Sequence, residues 1–460
     1  MAPRCGPAMR HPGVRLYGKD HRELGARAAL LYGDRIKLTM RMLSRVARGR
    51  PWLIDPGKPA PGAERLAELE GLSRGLSMGV DELSAAGSVA QSLAMAACTN
   101  FGALPPVTGD GDAMLSWNFD AAPPIRAMFG RFPLFVREVD GTIPYLCMGF
   151  PAFFGIGVMN AEGLCCVVNA VGIRDDGDGL SSFEMNNRCM ETCSTVDAAE
   201  EVFATGPRGA VKAMTMGMLM NWNTIWTDRS GDLSVFEYSH NHFHRHRATD
   251  DRMVASANHH QFLDRSLSGS FDPGLQELIT GSYSRLARMY AMLAANADRI
   301  DPERAKAMVS DHFPDYSLLR EFGMDREWWE EMPDDATVCA HAWNLRRHLA
   351  KGKLMDAGME TAMSTTLYSF QIRPAGKTVW FTCGHPCRNE TVPLYWGDML
   401  GADGRRPDGA LLPDRSRSRV RRDRGMMFGS DGGVQGERLT RVWMSVTGAI
   451  EDQNFKHLAG

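Results

Sequence analysis

Residues 95–120, MAACTNFGALPPVTGDGDAMLSWNFD, hold a lone cysteine behind small residues and, on the next apolar run, an amide and a carboxylate. If the chain is cut before Cys98, that residue acquires a free α-amine. With an ordinary pKa near 8, the amine takes the thiol proton and serves as the nucleophile's own base. Such a centre needs a carboxylate to hold the α-ammonium and side-chain amides to stabilise a tetrahedral oxyanion. Asp120 lies on the following strand-like run, and PPVTGDGD between the two is suited to a hairpin connection. Asn118 and Asn169 are amides within apolar runs, and Asn258 ends the MVASA run. Buried amides rarely go without partners, so each is either functional or fully hydrogen-bonded.

These groups need elements to carry them. Residues 14–50 read as two charged helical stretches broken at Gly33-Asp34, and a Pro/Gly linker at 56–62 precedes a helix through Leu66, Leu69 and Leu72. Asp81 is placed to cap another. From Cys98 to about Glu237, apolar runs of four to eight residues alternate with Gly/Asp/Pro punctuation, which favours strands. SFEMNNRCMETCSTVDAAEEVFA and GAVKAMTMGMLMN read as helical insertions among them. After a strand near DRMVASANHH, residues 273–350 are helix-rich. Strands return at TTLYSFQIRPAGKTVWFTCG, with Pro-Ala-Gly-Lys as a hairpin turn. Residues 401–424 have many Arg, Asp, Gly and Pro and too little apolar surface to offset ordering entropy, as in a mobile surface insert. The pattern is that of a layered α+β protein with largely antiparallel sheets.

Composition removes several function classes. The 460 residues are 44% hydrophobic and 23% charged with a net charge of −3, which supplies no basic field for nucleic acid. No stretch approaches a membrane span, and the first residues lack the apolar core of a secretory signal. The expected location is the cytoplasm, where ten sparse cysteines stay as thiols. Cys189/Cys193 and Cys383/Cys387 have a Cys-x3-Cys spacing that zinc sites also use, but are read as buried apolar residues. His240, His242, His244 and His246 alternate, and are read as one face of an exposed hairpin strand rather than a metal site. No metal or organic cofactor is expected. The expected partner is a small-molecule amide or acyl substrate, and nothing opposes a homo-oligomer.

Five stretches, in register along residues 14–397, give the chain a family resemblance: ERLAELEGLSRGLSMGVDELSA, CTNFGA with LSWNFD, GVMNAEGLCCVVNAVG, ANHHQF and TTLYSFQIRPAGKTVWFTCGHPCRN. It resembles the N-terminal-nucleophile hydrolases of the acyl-CoA:6-aminopenicillanate acyltransferase type (peptidase family C45), relatives of choloylglycine hydrolases, penicillin V acylases and acid ceramidases. The resemblance implies a four-layer αββα sandwich and self-cleavage between Ala97 and Cys98. A leader of residues 1–97 would be retained as a small subunit beside a catalytic domain of 98–460. It places the nucleophile on Cys98, the amine-orienting carboxylate on Asp120, an oxyanion asparagine on Asn258, and an oxyanion or substrate ligand on Asn169. Trp117 and Asn118 fall on the substrate side. Many relatives have Arg-Asn-x-Asp where this chain has Trp117-Asn118-Phe119-Asp120, so their nucleophile-contacting Arg is missing here, and Ala97 stands in place of a frequent Gly. The implied activity is hydrolysis or acyl transfer at a linear, non-peptide C–N amide bond through a thioester. A catalytically silent binding or scaffold protein of the same fold is the alternative.

Intact mass tests the expectation. The purified chain should appear as two fragments parted at Ala97–Cys98, and Cys98→Ala should remain whole. Scission of that variant at the same bond would assign the cut to an external protease.

Overall fold

The computed structural model describes residues 13–49, 61–94, 98–121, 133–150, 154–175, 177–212, 219–248, 250–264, 276–313, 337–341, 349–352 and 365–400. Ala97 and the Arg-rich segment 401–424 lie outside the described residues.

Two sheets lie face to face. The six-stranded sheet has the order β12 (Met253–Ser256), β2 (Cys98–Ala103), β3 (Met114–Ala121), β13 (Thr365–Arg373), β14 (Thr378–Cys383), β15 (Thr391–Tyr395), antiparallel throughout. The nine-stranded sheet runs β1 (Gly13–Gly18), β4 (Leu134–Val139), β5 (Tyr145–Phe150), β6 (Phe154–Asn160), β7 (Cys165–Ile173), β9 (Leu219–Thr227), β10 (Leu233–Tyr238), β11 (Phe243–Arg247), with β8 (Val211–Lys212) pairing on β9. Among the described strands only β1 and β4 pair in parallel. Strands β2 and β3 are buried along their whole length. Both faces are covered: β7 and β9 on one side, and α6 (Gln276–Ala295) and α7 (Pro302–Val309) on the other. Strands covered on both faces lose the in/out alternation of a half-exposed sheet. At Gly102 a Cβ would fall 2.5 Å from Leu233 Cδ1, so β2 approaches the opposite sheet too closely for a side chain there.

The outer face of the larger sheet carries α1 (His21–Gly49), α2 (Ala63–Leu76), α3 (Val80–Ala94), α4 (Ser182–Thr192) and α5 (Val196–Thr205). A short α8 (Trp396–Leu400) follows β15. The layers are therefore helix, sheet, sheet, helix, the αββα arrangement expected. Local sequence explains several starts. Ser181 and Glu184 form a capping box at α4, and Thr195 caps α5. Asp301 caps α7 with Pro302 in its first turn, where the missing N–H costs nothing. Among the described residues no helix is long and apolar enough to cross a membrane.

Three expectations are corrected. In place of two helices over 14–50, the described residues hold one strand, Gly13–Gly18, and one 29-residue helix, α1, which runs through Gly33-Asp34. A glycine inside a helix costs about 1 kcal/mol, and packing of α1 on α2 outweighs that. Of GAVKAMTMGMLMN, the ends belong to strands β8 and β9, where cross-strand pairing overrides the helix formers. The alternating histidines divide: His244 and His246 lie in β11 while His240 and His242 belong to the turn before it. His246 stacks on Phe262 at 3.7 Å between ring centroids.

The segment preceding Cys98 is built into this frame. Arg137 of β4 makes a buried bidentate pair with Glu68 of α2, at 3.0 and 3.1 Å. Arg15 of β1 pairs with Glu138, also buried. Helices α1 and α2 touch backbone to backbone: a Cβ on Gly71 would lie 1.9 Å from the Arg22 carbonyl oxygen. Glu68→Ala should therefore cost about 3–5 kcal/mol by leaving Arg137 buried with its principal partner gone. Chemical denaturation would register this as a lower midpoint, and an unchanged midpoint would show Glu191, 3.6 Å from Arg137, to be sufficient.

Candidate active site

Antiparallel pairing of β2 and β3 sets Cys98 opposite Phe119, with Asp120 one residue further along. Cys98 opens its strand and is only 3% exposed. Its backbone N–H donates to Asn258 Oδ1 at 3.0 Å. Arg285, from α6, donates to the Cys98 carbonyl, to Thr99 Oγ1 at 2.7 Å and to Asn258 Oδ1 at 2.8 Å. Asn258 Nδ2 donates to the Ala170 carbonyl on β7 at 2.8 Å. Two donors meet one end of this amide and a carbonyl meets the other, so its orientation follows from its partners.

The loop bearing Asn258 is held from several sides. Ser282 of α6 accepts the Asn258 N–H at 2.7 Å, and Asn223 Nδ2 donates to the His259 carbonyl at 2.7 Å. Glu237, buried in β10, accepts the backbone N–H groups of Gln261, Phe262 and Leu263 at 2.7–2.8 Å. Charge-assisted bonds of this kind are roughly twice as strong as neutral ones.

Asp120 is fully buried. Its Oδ1 accepts from Thr366 Oγ1 at 2.6 Å, while Oδ2 has no partner among the described residues. Burial raises the carboxyl's pKa to about 7, against the opposing pull of Arg285 and the Thr366 hydroxyl. Burial, and next the Asp120 charge, push the Cys98 thiol up to about 12. A thiol in that state needs a base to become nucleophilic.

The other amides divide by face. Asn169 of β7 donates to Asn100 Oδ1 at 2.9 Å, across the space between the sheets. Among the described residues Asn100 Nδ2 and Asn169 Oδ1 are buried without partners, so whichever way the two amides are turned one NH2 stays unused there. Asn100 is two residues from Cys98 on β2, which puts both side chains on one face of the strand. Asn118 points the other way, its Nδ2 donating to the carbonyls of Val309 and Val338 at 2.8 and 2.9 Å. Trp117 is fully buried between Phe119 and Phe370, at ring-centroid distances of 5.6 and 5.3 Å.

Cys98, Asp120 and Asn258 are thus brought together, and Asn169 joins them through Asn100. In this intact chain Asn258 turns its oxygen, not its amide N–H, toward Cys98. Asn118 and Trp117 are engaged in packing. Sequence reasoning missed Arg285, Thr366 and Asn100. The cation absent at Trp117 comes instead from α6. Its signal lay in SYSRLARMYAMLAAN: Arg285 is spaced i−3 and i+4 from Ser282 and Met289, both buried, so it sits on the covered face of its helix.

The layers run helix, sheet, sheet, helix, and Cys98 opens an inner strand of the smaller sheet. Residues 107–330 match the family model described as acyl-coenzyme A:6-aminopenicillanic acid acyl-transferase, in agreement with the resemblance carried by the sequence motifs. The match includes Asp120, Asn169, Asn258 and Arg285 and begins after Cys98. Among solved structures the chain is similar to penicillin V acylase from Agrobacterium tumefaciens, with 14% identity, a TM-score of 0.38, and coverage of 68% of this chain and 90% of that one. It is also similar to a variant of conjugated bile acid hydrolase from Clostridium perfringens, with 12% identity, a TM-score of 0.39, and coverage of 69% and 98%. Curated proteins give no match.

The Asp120 carboxyl titrates near 7 when folded and near 3.8 in its ordinary state. Its pKa is raised by folding, so its contribution to stability is complete below the ordinary value and is lost as pH rises through the folded one. Uncleavable Cys98→Ala protein should therefore lose several degrees of Tm between about pH 5 and pH 8 relative to Cys98→Ala/Asp120→Asn, on the order of 2–4 °C per kcal/mol. Parallel Tm profiles of the two proteins would show that Asp120 is ionised throughout.

Proposed function

We propose that the chain is an autoprocessing amidohydrolase or acyltransferase whose nucleophile is Cys98, acting on a linear, non-peptide C–N amide bond. The observation that carries this reading is the pairing of two buried features. One is the Cys98 backbone nitrogen held by Asn258 Oδ1; the other is the partnerless Asp120 Oδ2 next to it in register. Scission before Cys98 would turn an amide N–H into an ammonium with more donors, and Asp120 Oδ2 is the acceptor that the intact chain leaves unused.

In the proposed reaction the α-amine of Cys98 takes the thiol proton and Sγ attacks the acyl carbonyl. A thioester forms as the leaving amine accepts a proton from the α-ammonium. Water, or an acceptor amine, then releases the acyl group. Arg285 fixes the Cys98 carbonyl and lowers the cost of the buried Asp120 charge. The unused NH2 of the Asn100–Asn169 pair is the amide donor best placed for the oxyanion, while Asn258 serves as acceptor for the nucleophile's nitrogen. The segment before the cut stays bound as a small subunit through β1, Glu68 and Arg15. The matched family acts by acyl transfer, and penicillin V and conjugated bile acids, substrates named for the similar structures, suggest N-acylated amines as the substrate class. A silent scaffold gains no support from this arrangement, since it would not need the unpaired carboxylate oxygen.

Acyl transfer from a p-nitrophenyl ester should place a covalent acyl group on Cys98, found by peptide mass after digestion. Asp120→Asn should lower the rate at least about tenfold, since one charge-assisted bond is lost. Asn100→Ala should lower kcat by roughly 10²–10³ with little change in KM, the usual cost of an oxyanion donor. Absence of an adduct on processed protein would defeat the mechanism. Loss of stability with normal turnover in Asn100→Ala would return that residue to a packing role.

A further inference from the structure

Behind the six-stranded sheet, four potential ligands converge from three separated stretches of chain. His312 follows α7, Cys339 and His341 lie on the described segment 337–341, and Cys387 lies in the turn between β14 and β15. Their ligand atoms all fall within 4.8 Å of one another. The shorter separations are 3.7 Å for Cys339 Sγ to Cys387 Sγ, 3.2 Å for His312 Nε2 to His341 Nε2, and 3.5 and 3.3 Å for His341 Nε2 to Cys339 and Cys387 Sγ.

Those lengths can be compared with a tetrahedron. Zinc bonds of about 2.3 Å to sulfur and about 2.05 Å to nitrogen imply edges of about 3.8 Å between sulfurs, about 3.3 Å between nitrogens and about 3.6 Å between unlike ligands. All four separations fall close to these edges. Hydrogen bonding alone does not account for the cluster. A single imidazole nitrogen offers one proton or one lone pair, yet His341 Nε2 faces a nitrogen and two sulfurs at bonding distance.

We propose that His312, Cys339, His341 and Cys387 form a structural zinc site. Two thiolates and two neutral imidazoles make a charge-neutral set for a divalent cation, and the mixed S2N2 tetrahedron suits zinc. Four protein ligands leave no open position, so the ion braces rather than reacts. Cys339 and His341 are buried while Cys387 is exposed, which gives an entry path. His385 stacks on the His341 ring at 3.9 Å and 8°, and its Nε2 is engaged with Thr365 Oγ1 at 2.7 Å, so it orients His341 and is not a ligand. The sequence reading of Cys383 and Cys387 as buried apolar residues is corrected: Cys383 is half-buried and Cys387 exposed. Cys387 finds its partners far along the chain, where no spacing motif reveals them.

The site would fix more than its own loops. Ala340, between Cys339 and His341, bonds Thr366 in both directions: its N–H donates to Thr366 Oγ1 at 2.9 Å and its carbonyl accepts the Thr366 N–H at 3.0 Å. Thr366 is the residue that donates to Asp120. Zinc would thus hold the strip of chain that positions the buried carboxylate, whether or not the proposed chemistry is right.

Elemental analysis of full-length protein, purified with reductant and dialysed against metal-free buffer, should give about one zinc per chain. Protein stripped by chelator should lose thermal stability and regain it with zinc. Reconstituted with Co(II), it should show the intense visible bands of tetrahedral cobalt and thiolate-to-metal charge transfer. Cys387→Ser and His312→Ala should each reduce bound zinc at least tenfold, while His244→Ala/His246→Ala, at the histidine-bearing strand, should keep it. The proposal is overturned by substoichiometric metal together with no tetrahedral Co(II) spectrum. Retention of zinc by the Cys387 and His312 variants, or its loss from the β11 variant, overturns it equally. A Cys339–Cys387 disulfide in reduced, zinc-supplied protein would do so as well.

Discussion

Burying an isolated carboxylate is among the more expensive things a fold can do, since ionisation there forfeits hydration worth several kcal/mol. Asp120 is that carboxylate, and the core of the smaller sheet is arranged around it. Strand β13 brings Thr366 beside it in register, and α6 brings Arg285 across the end of β2. Even so, the carboxyl titrates near neutrality. The fold supports the charge only partly, and among the described residues Oδ2 has no partner. In the proposed enzyme its partner is the α-ammonium of Cys98.

The same constraint explains why the segment ahead of Cys98 is structural rather than an appendage. In the proposed enzyme a new N-terminus that carries catalysis must not wander, and the strand that Cys98 begins is pinned by β12 on one side and β3 on the other. The preceding helices pack on the opposite sheet, and β1 adds an edge to it. Buried pairs Arg137–Glu68 and Arg15–Glu138 tie them there. Breaking one peptide bond between such parts would leave both halves of each ion pair in place.

Much of this was legible in the sequence because it was local. The Cys98 and Asp120 runs are adjacent hairpin strands and the Pro374–Lys377 turn separates two strands, whereas Asp81, read as a cap, falls within the first turn of α3. Where sequence reading erred, tertiary contact had overridden local preference. Gly33 did not interrupt α1, and methionine-rich residues near 211 and 219 were drawn into a sheet. Functional groups contributed from a distance were hardest to see. Arg285 is 187 residues from Cys98, Thr366 is 246 from Asp120, and Cys387 is 48 from Cys339. Their roles are set by which helix covers which strand, and no periodicity records that.

The amide of Asn258 shows how one side chain's orientation decides between mechanistic roles. An oxyanion is stabilised by donors, and an amide oxygen aimed at it would repel it. Asn258 directs its oxygen toward the Cys98 nitrogen and the Arg285 guanidinium, and its NH2 toward Ala170. Turning the amide over would set its NH2 against two donors and its oxygen against a carbonyl, losing three bonds together. The surrounding chain therefore commits Asn258 to accepting from the Cys98 nitrogen, the nucleophile's own nitrogen in the proposed enzyme. In the proposed reaction the oxyanion would find its donor on the face where Cys98 projects, and the Asn100–Asn169 pair there retains an amide group with no other partner among the described residues. Two asparagines buried between apolar sheets, with one NH2 left unpaid by any acceptor, are costly to keep unless something polar enters beside them.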